Sequence, residues 1–172
     1  MFIKTELDGC DFSGARLTRA TFFQARAHKV SFRGAQLDKT QFVGGCDCRG
    51  SDFSEANLSE FFARDANLQH CNFRNAQVSN AMLSRNDLTG ADFTEANLVQ
   101  ARLDRSNCFG ARFVGANLRD AILRKADLSA ADFTGANLFR AEATRIIRTP
   151  ETLFDNARLL FSVLKNEEEK PT

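Results

Sequence analysis

Five cysteines and two histidines are the residues of this chain best suited to chemistry. Cys46 and Cys48 flank Asp47, a pairing that could open a metal site. A thiolate beside an imidazole could act as a nucleophile. His28 and His70 complete neither arrangement, because both fall at outward positions of the chain's repeat while the cysteines, Cys71 next to His70 included, fall at inward ones. No glycine motif for cradling phosphate is present either. The expectation is a chain with no catalytic residue, no metal and no cofactor. What decides the role of each cysteine is the set of elements that positions it.

Those elements follow a five-residue period. Apolar residues recur at Phe2, Leu7, Phe12, Leu17, Phe22, Ala27, Phe32, Leu37 and Phe42. After one extra residue, Gly45, the series resumes at Cys48, Phe53, Leu58 and Ala63 and runs to Ala143. Two residues before each of these central positions stands a small group such as Ala15, Ala35, Ala56, Thr40 or Ser51. Phe61 breaks that rule, but its central partner is only Ala63, so local volume is roughly kept. Asn86 is the other exception and needs hydrogen-bond partners inside. The two inward positions alternate with outward ones, which is the strand period. The fifth residue turns the chain, and every glycine but Gly45 falls there. Gly45 reads as a bulge.

A longer period lies over the first. Every fourth repeat brings Phe12, Phe32, Phe53, Phe73, Phe93, Phe113 and Phe133 into one column, and Leu17, Leu37, Leu58, Val78, Leu98, Leu118 and Leu138 into another. Four repeats therefore close one coil, and coils stack. All five cysteines fall at inward positions, as small buried apolar groups. A filled rod of this kind offers no cleft for acid–base chemistry, so no enzymatic activity is expected.

The stretches ANLSE, ANLQH, ADFTE, ANLVQ, ANLRD, ADLSA, ADFTG and ANLFR resemble the A(D/N)LXX motif of the pentapeptide-repeat family. The resemblance covers residues 1 to about 145. It implies an all-β solenoid: a right-handed quadrilateral parallel β-helix of about seven coils, about 35 Å long at the spacing of stacked strands. Residues 1–145 are assigned to this β-helix and residues 146–172 to a C-terminal segment.

In that segment Thr149, Pro150 and Glu151 read as a helix start: an N-cap, a proline in the first turn and an acid at the positive pole. Leu153, Ala157, Leu160, Phe161 and Leu164 follow at helical spacing, and Phe154 broadens the stripe. A capping α-helix is expected, with Leu153, Phe154, Leu160, Phe161 and Leu164 covering the last coil and joining two copies into a homodimer. Dimerisation through C-terminal segments in family members points the same way.

The outward positions carry the functional reading. Above the Phe column, charge alternates along the rod through Asp11, Arg33, Asp52 with Glu55, Arg74, Asp92 with Glu95, Arg112 and Asp132. This predicts a ladder of exposed ion pairs, each worth about 0.2–1 kcal/mol. The side bearing Phe2, Phe22, Phe42, Ala63, Leu83, Leu103, Leu123 and Ala143 differs. It presents Phe23, Phe62, Met82 and Ile122, with Arg64, Arg85, Arg102, Arg105, Arg124 and Lys125. Apolar anchors ringed by arginine are what protein interfaces enrich. The expected function is a non-enzymatic protein–protein interaction scaffold using this face, with a partner of unknown identity.

The resemblance implies an alternative. Some bacterial pentapeptide-repeat proteins mimic DNA, bind DNA gyrase and topoisomerase IV, and confer quinolone resistance or toxin immunity. Here, however, 23 Lys and Arg face 22 Asp and Glu, for a formal net charge of +1. That balance also argues against a nucleic-acid partner. Early acids at Glu6, Asp8 and Asp11 interrupt any apolar leader, and no run of apolar residues is long enough to span a membrane, so a cytoplasmic protein is expected.

Overall fold

A computed structural model describes residues 1–159. Strands β1 (Phe2–Ile3), β2 (Thr21–Phe23), β3 (Gln41–Val43) and β4 (Phe62–Ala63) form one parallel sheet in the order β1-β2-β3-β4. The register pairs Phe2 with Phe22, Phe22 with Phe42, and Phe42 with Ala63. On the other sides the pairing is made by single parallel bridges, such as Glu6–Arg26–Asp47–Asn67, Asp11–Ser31–Asp52–Asn72 and Arg16–Gln36–Asn57–Gln77. Four ladders, one per side, make a four-sided β-solenoid. Each coil covers the backbone edge of the one before it.

The inward residues fill the rod completely. Phe32, Phe53, Phe73, Phe93, Phe113 and Phe133 are buried, and their rings stack in register. Successive centroids lie 4.9, 4.9, 4.6, 5.1 and 4.7 Å apart, within 9° of parallel. Phe61 and Ala63 are both buried, and the Phe61 ring meets Phe42 edge-on at 5.1 Å, as the volume exchange requires. Asn86 is also buried; its amide donates to the Ala63 carbonyl and its oxygen accepts from the Ala66 N–H, each at 2.9 Å. It thus stands in for backbone, so its burial leaves no polar atom unpaired.

Positive φ falls at the corners. It falls on the predicted turn glycines and equally on long charged residues there, such as Arg85 (63°), Arg105 (62°) and Lys125 (58°). At Gly44 the requirement is also spatial, since a Cβ would lie 2.9 Å from the Phe23 ring.

The Asp or Asn that precedes the central residue has a role that periodicity alone leaves hidden. Its side-chain oxygen accepts the outward N–H two residues on: Ser54 to Asp52 and Thr134 to Asp132 at 2.9 Å, and Phe109 to Asn107 at 3.1 Å. That N–H points away from both neighbouring coils, so only a short polar side chain can reach it.

The expected C-terminal helix is not found among the described residues. The solenoid continues instead: Leu153 bridges to Asp132 and Arg158 to Asn137. The Phe154 ring stacks on Phe133 at 5.1 Å, extending the column past its seven predicted members. Thr149, Pro150 and Glu151 form an enlarged corner rather than a helix start. The Thr152 N–H donates to the Thr149 carbonyl, and the Thr152 hydroxyl reaches back to the Leu128 carbonyl at 3.0 Å. The segment's apolar residues fit both helical and five-residue spacing, and the stacked coil below offers carbonyls to its N–H groups and an open apolar layer to its inward residues. Phe154 is therefore spent on the core, while Leu153 is 43% exposed on the outside. Leu160, Phe161 and Leu164, the rest of the expected capping and dimer surface, lie outside the described residues.

Candidate protein-binding face

The side carrying β1 to β4 lacks the side-chain cap just described. Where the other sides place Asp or Asn in most coils, with exceptions such as Arg16, Gln36, Gln77 and Arg112, this one never does; it has Thr21, Gln41, Phe62, Met82, Arg102, Ile122 and Glu142. The outward N–H groups of this side, among them those of Ser84 and Arg124, have no Asp or Asn two residues back to accept them. A departure from the local rule in every coil is what a working surface looks like in sequence.

Three rows run along this face, parallel to the rod. One holds Phe62, Met82, Arg102 and Ile122, bridged in that order. The middle row holds Arg64, Ser84, Asp104 and Arg124, and the corner row holds Asp65, Arg85, Arg105, Lys125 and Arg145. Met82 is 49% exposed and Phe62 and Ile122 are half-buried. Phe62, Arg64, Met82, Arg85, Arg102, Arg105 and Arg124 line one depression of about 470 Å³. An adjoining one is lined by Arg105, Arg124, Lys125 and Arg145. The structure thus brings together the arginines and apolar anchors expected from sequence. Phe23 alone sits apart, with Ile3, on the outer surface of the sheet; they are 37% and 55% exposed.

The acids of this face each neutralise one neighbour. Arg64 pairs with Asp65 at 3.6 Å, Arg102 with Asp104 at 3.3 Å, and Arg124 with Glu142 at 3.6 Å. Partial burial pulls the Asp104 carboxyl upward. The Ser84 hydroxyl, donating at 2.7 Å, and Arg102 outweigh it and hold the group below the usual carboxylate range. Ser84 escaped the sequence reading; a hydroxyl and a carboxylate at equivalent positions of successive coils was the available signal. Among the described residues, Arg85, Arg105 and Lys125 enter no ion pair.

Other clusters settle into structural roles. Cys46, Cys48, Cys71 and Cys108 are buried, and Cys10 lies at the less covered first coil. Burial pushes the Cys71 and Cys108 thiols up to about 12, which suppresses the thiolate. No group of His, Cys, Asp and Glu among the described residues has metal-site geometry. His28 lies between Asp8 and Asp47, at 3.3 and 2.9 Å, within a lattice that includes Arg26 and Arg49. The predicted charge ladder forms in part: Arg33 to Glu55 at 2.9 Å, and Arg74 and Arg112 to Asp92 at 3.2 and 3.9 Å. No described helix is long and apolar enough to cross a membrane.

Comparison with known proteins agrees with this architecture. The sequence matches the pentapeptide repeats (8 copies) family over residues 5–44, 64–100 and 101–138. No curated protein matches. A trypsin-treated variant of QnrB1, described as a plasmid-mediated fluoroquinolone resistance protein, superposes with a TM-score of 0.79 at 21% identity, covering 91% of this chain and 82% of its own. A second trypsin-treated QnrB1 variant gives 0.79 at 23% identity, covering 90% and 76%. Rfr23, a pentapeptide repeat protein from the cyanobacterium Cyanothece 51142, gives 0.53 at 24%, covering 87% and 91%. These likenesses concern the fold.

Proposed function

The chain belongs to the pentapeptide-repeat family, and on that premise we propose that it is a non-enzymatic rod that binds another protein through the face carrying Met82 and Arg105. One observation carries the reading. This face gives up the Asp/Asn cap in every coil and holds exposed apolar groups beside cations that have no carboxylate partner. Such a surface gains nothing for the fold; its chemistry is that of a desolvated anchor with a charged rim. The free cysteines suit a reducing compartment, and we place the protein in the cytoplasm.

The test is capture from a host lysate with the whole chain as bait, beside a variant carrying Arg64→Glu, Arg105→Glu and Arg124→Glu, with eluates identified by mass spectrometry. A protein retained by the wild type and lost by the correctly folded variant supports the reading. Partners held equally by both remove it.

A second reading, binding of a type II topoisomerase such as DNA gyrase, is favoured by the rod shared with QnrB1. A DNA-like acidic surface does not support it, since Arg33, Arg74 and Arg112 interrupt the acids above the Phe column. Gyrase subunits in the wild-type eluate would promote it.

A further inference from the structure

The rows of the candidate face limit what can lie on it. Arg85, Arg105 and Lys125 occupy equivalent corners of successive coils, each at positive φ. Backbone pairing keeps them in step: the Arg85 N–H donates to the Asp104 carbonyl and the Arg105 N–H to the Arg124 carbonyl. Their spacing is therefore the strand spacing, about 4.8 Å. The corner row of another side breaks such a run with acid, as where Lys39 pairs with Glu60 at 3.5 Å. Here like charges stack without relief, at a cost to the rod. Across the face, on the other side of the middle row, Phe62, Met82 and Ile122 form an apolar rail. Arg102 interrupts that rail, but its guanidinium is turned onto Asp104. Its aliphatic stem can extend the apolar surface.

We infer that the occupant is an amphipathic α-helix of the partner protein, lying along the rod with carboxylates over Arg85, Arg105 and Lys125 and apolar side chains over Phe62, Met82 and Ile122. The inference rests on the protein-binding reading above and specifies its partner. Three matches support it. Helix residues three or four apart are about 4.5–6 Å apart along the axis, in step with the cation spacing. An extended segment repeats each face only every 6.4–6.8 Å and loses step within two coils. The apolar rail and the cation row run parallel on one face with the middle row between them, which matches an apolar and an acidic stripe running side by side along one helix. A nucleic-acid duplex turns its phosphates outward and keeps its bases stacked inside, so its backbone offers Met82 no apolar stripe.

The test uses the whole chain and fluorescence anisotropy with three labelled probes. The first is a stapled helical peptide of about 14 residues, long enough to cross three coils. It carries Glu along one stripe and Leu along the next. The second has the same composition with Glu and Leu alternating, the strand pattern. The third is a short DNA duplex. The helical probe is expected to bind at least about 10-fold tighter than the alternating one. Arg105→Glu is expected to weaken it about 10-fold, and Arg33→Glu on another side to leave it unchanged. Equal or tighter binding of the alternating peptide, still lost in Arg105→Glu, overturns the helical occupant while the face reading stands. The same holds if no probe binds while the lysate partner remains dependent on the arginines. Helical-probe binding indifferent to Arg105→Glu removes the proposed placement. Tightest binding by duplex DNA, falling steeply with salt, overturns both readings.

Discussion

The rings of Phe133 and Phe154 lie 5.1 Å apart and 6° from parallel, which places Phe154 in the aromatic column of the rod rather than on a helix. The stack begins with Phe12 and Phe32 at 5.5 Å, so one kind of contact runs the length of the described chain. Stability should therefore depend on position within the column. Phe93→Ala, between rings at 4.6 and 5.1 Å, should cost about 3–5 kcal/mol by leaving a cavity. Phe154→Ala, partly exposed, should cost less, about 1–3 kcal/mol. Urea unfolding of both variants checks the order; a larger loss at Phe154 would contradict this ranking.

Met82→Asn should separate fold from function. It restores the missing cap, giving the Ser84 N–H an acceptor two residues back. Stability should hold or rise by up to about 1 kcal/mol. Partner capture should fall, because an exposed anchor is lost. Thermal unfolding and the pull-down together decide, and a destabilised variant that still binds would remove the cap argument.

Acid should weaken the rod. Burial raises the Asp92 carboxyl, but the Thr94 hydroxyl and N–H, Arg74 and Arg112 outweigh it and leave the group below its ordinary value. A carboxyl depressed in the folded state contributes stability above its unfolded pKa, near 4, and loses that contribution as pH falls through the folded pKa. The unfolding midpoint should drop below about pH 4, and Asp92→Asn should make that acid limb shallower. An unchanged slope in the variant would remove Asp92 from the account.

Thiol reactivity should follow burial. Cys46, Cys48, Cys71 and Cys108 should resist iodoacetamide at neutral pH in the native protein and react once unfolded. Cys10, less covered, should react first. Mass spectrometry of labelled peptides reads this directly, and rapid native labelling of Cys108 would be incompatible with the filled core.

Much of this was legible because the repeat is local and insistent. Five-residue spacing named the inward residues, the corners and the Phe column, and it grouped Arg64, Arg85, Arg105 and Arg124 on one face. Stacking then only had to bring equivalent positions together. What sequence could not decide was where competing periods meet. Leu153, Phe154 and Ala157 suit a helix as well as a coil. The choice fell to the coil because Ala131 and Ala136 beneath supply carbonyls to the Leu153 and Arg158 N–H groups. Nor could spacing reveal that Asp52 and Asn107 cap outward N–H groups, or that Arg102 is spent on Asp104 while Arg105 has no acid partner. Those facts depend on distances of a few ångströms between residues only two apart in sequence, which the turn geometry of the folded backbone sets.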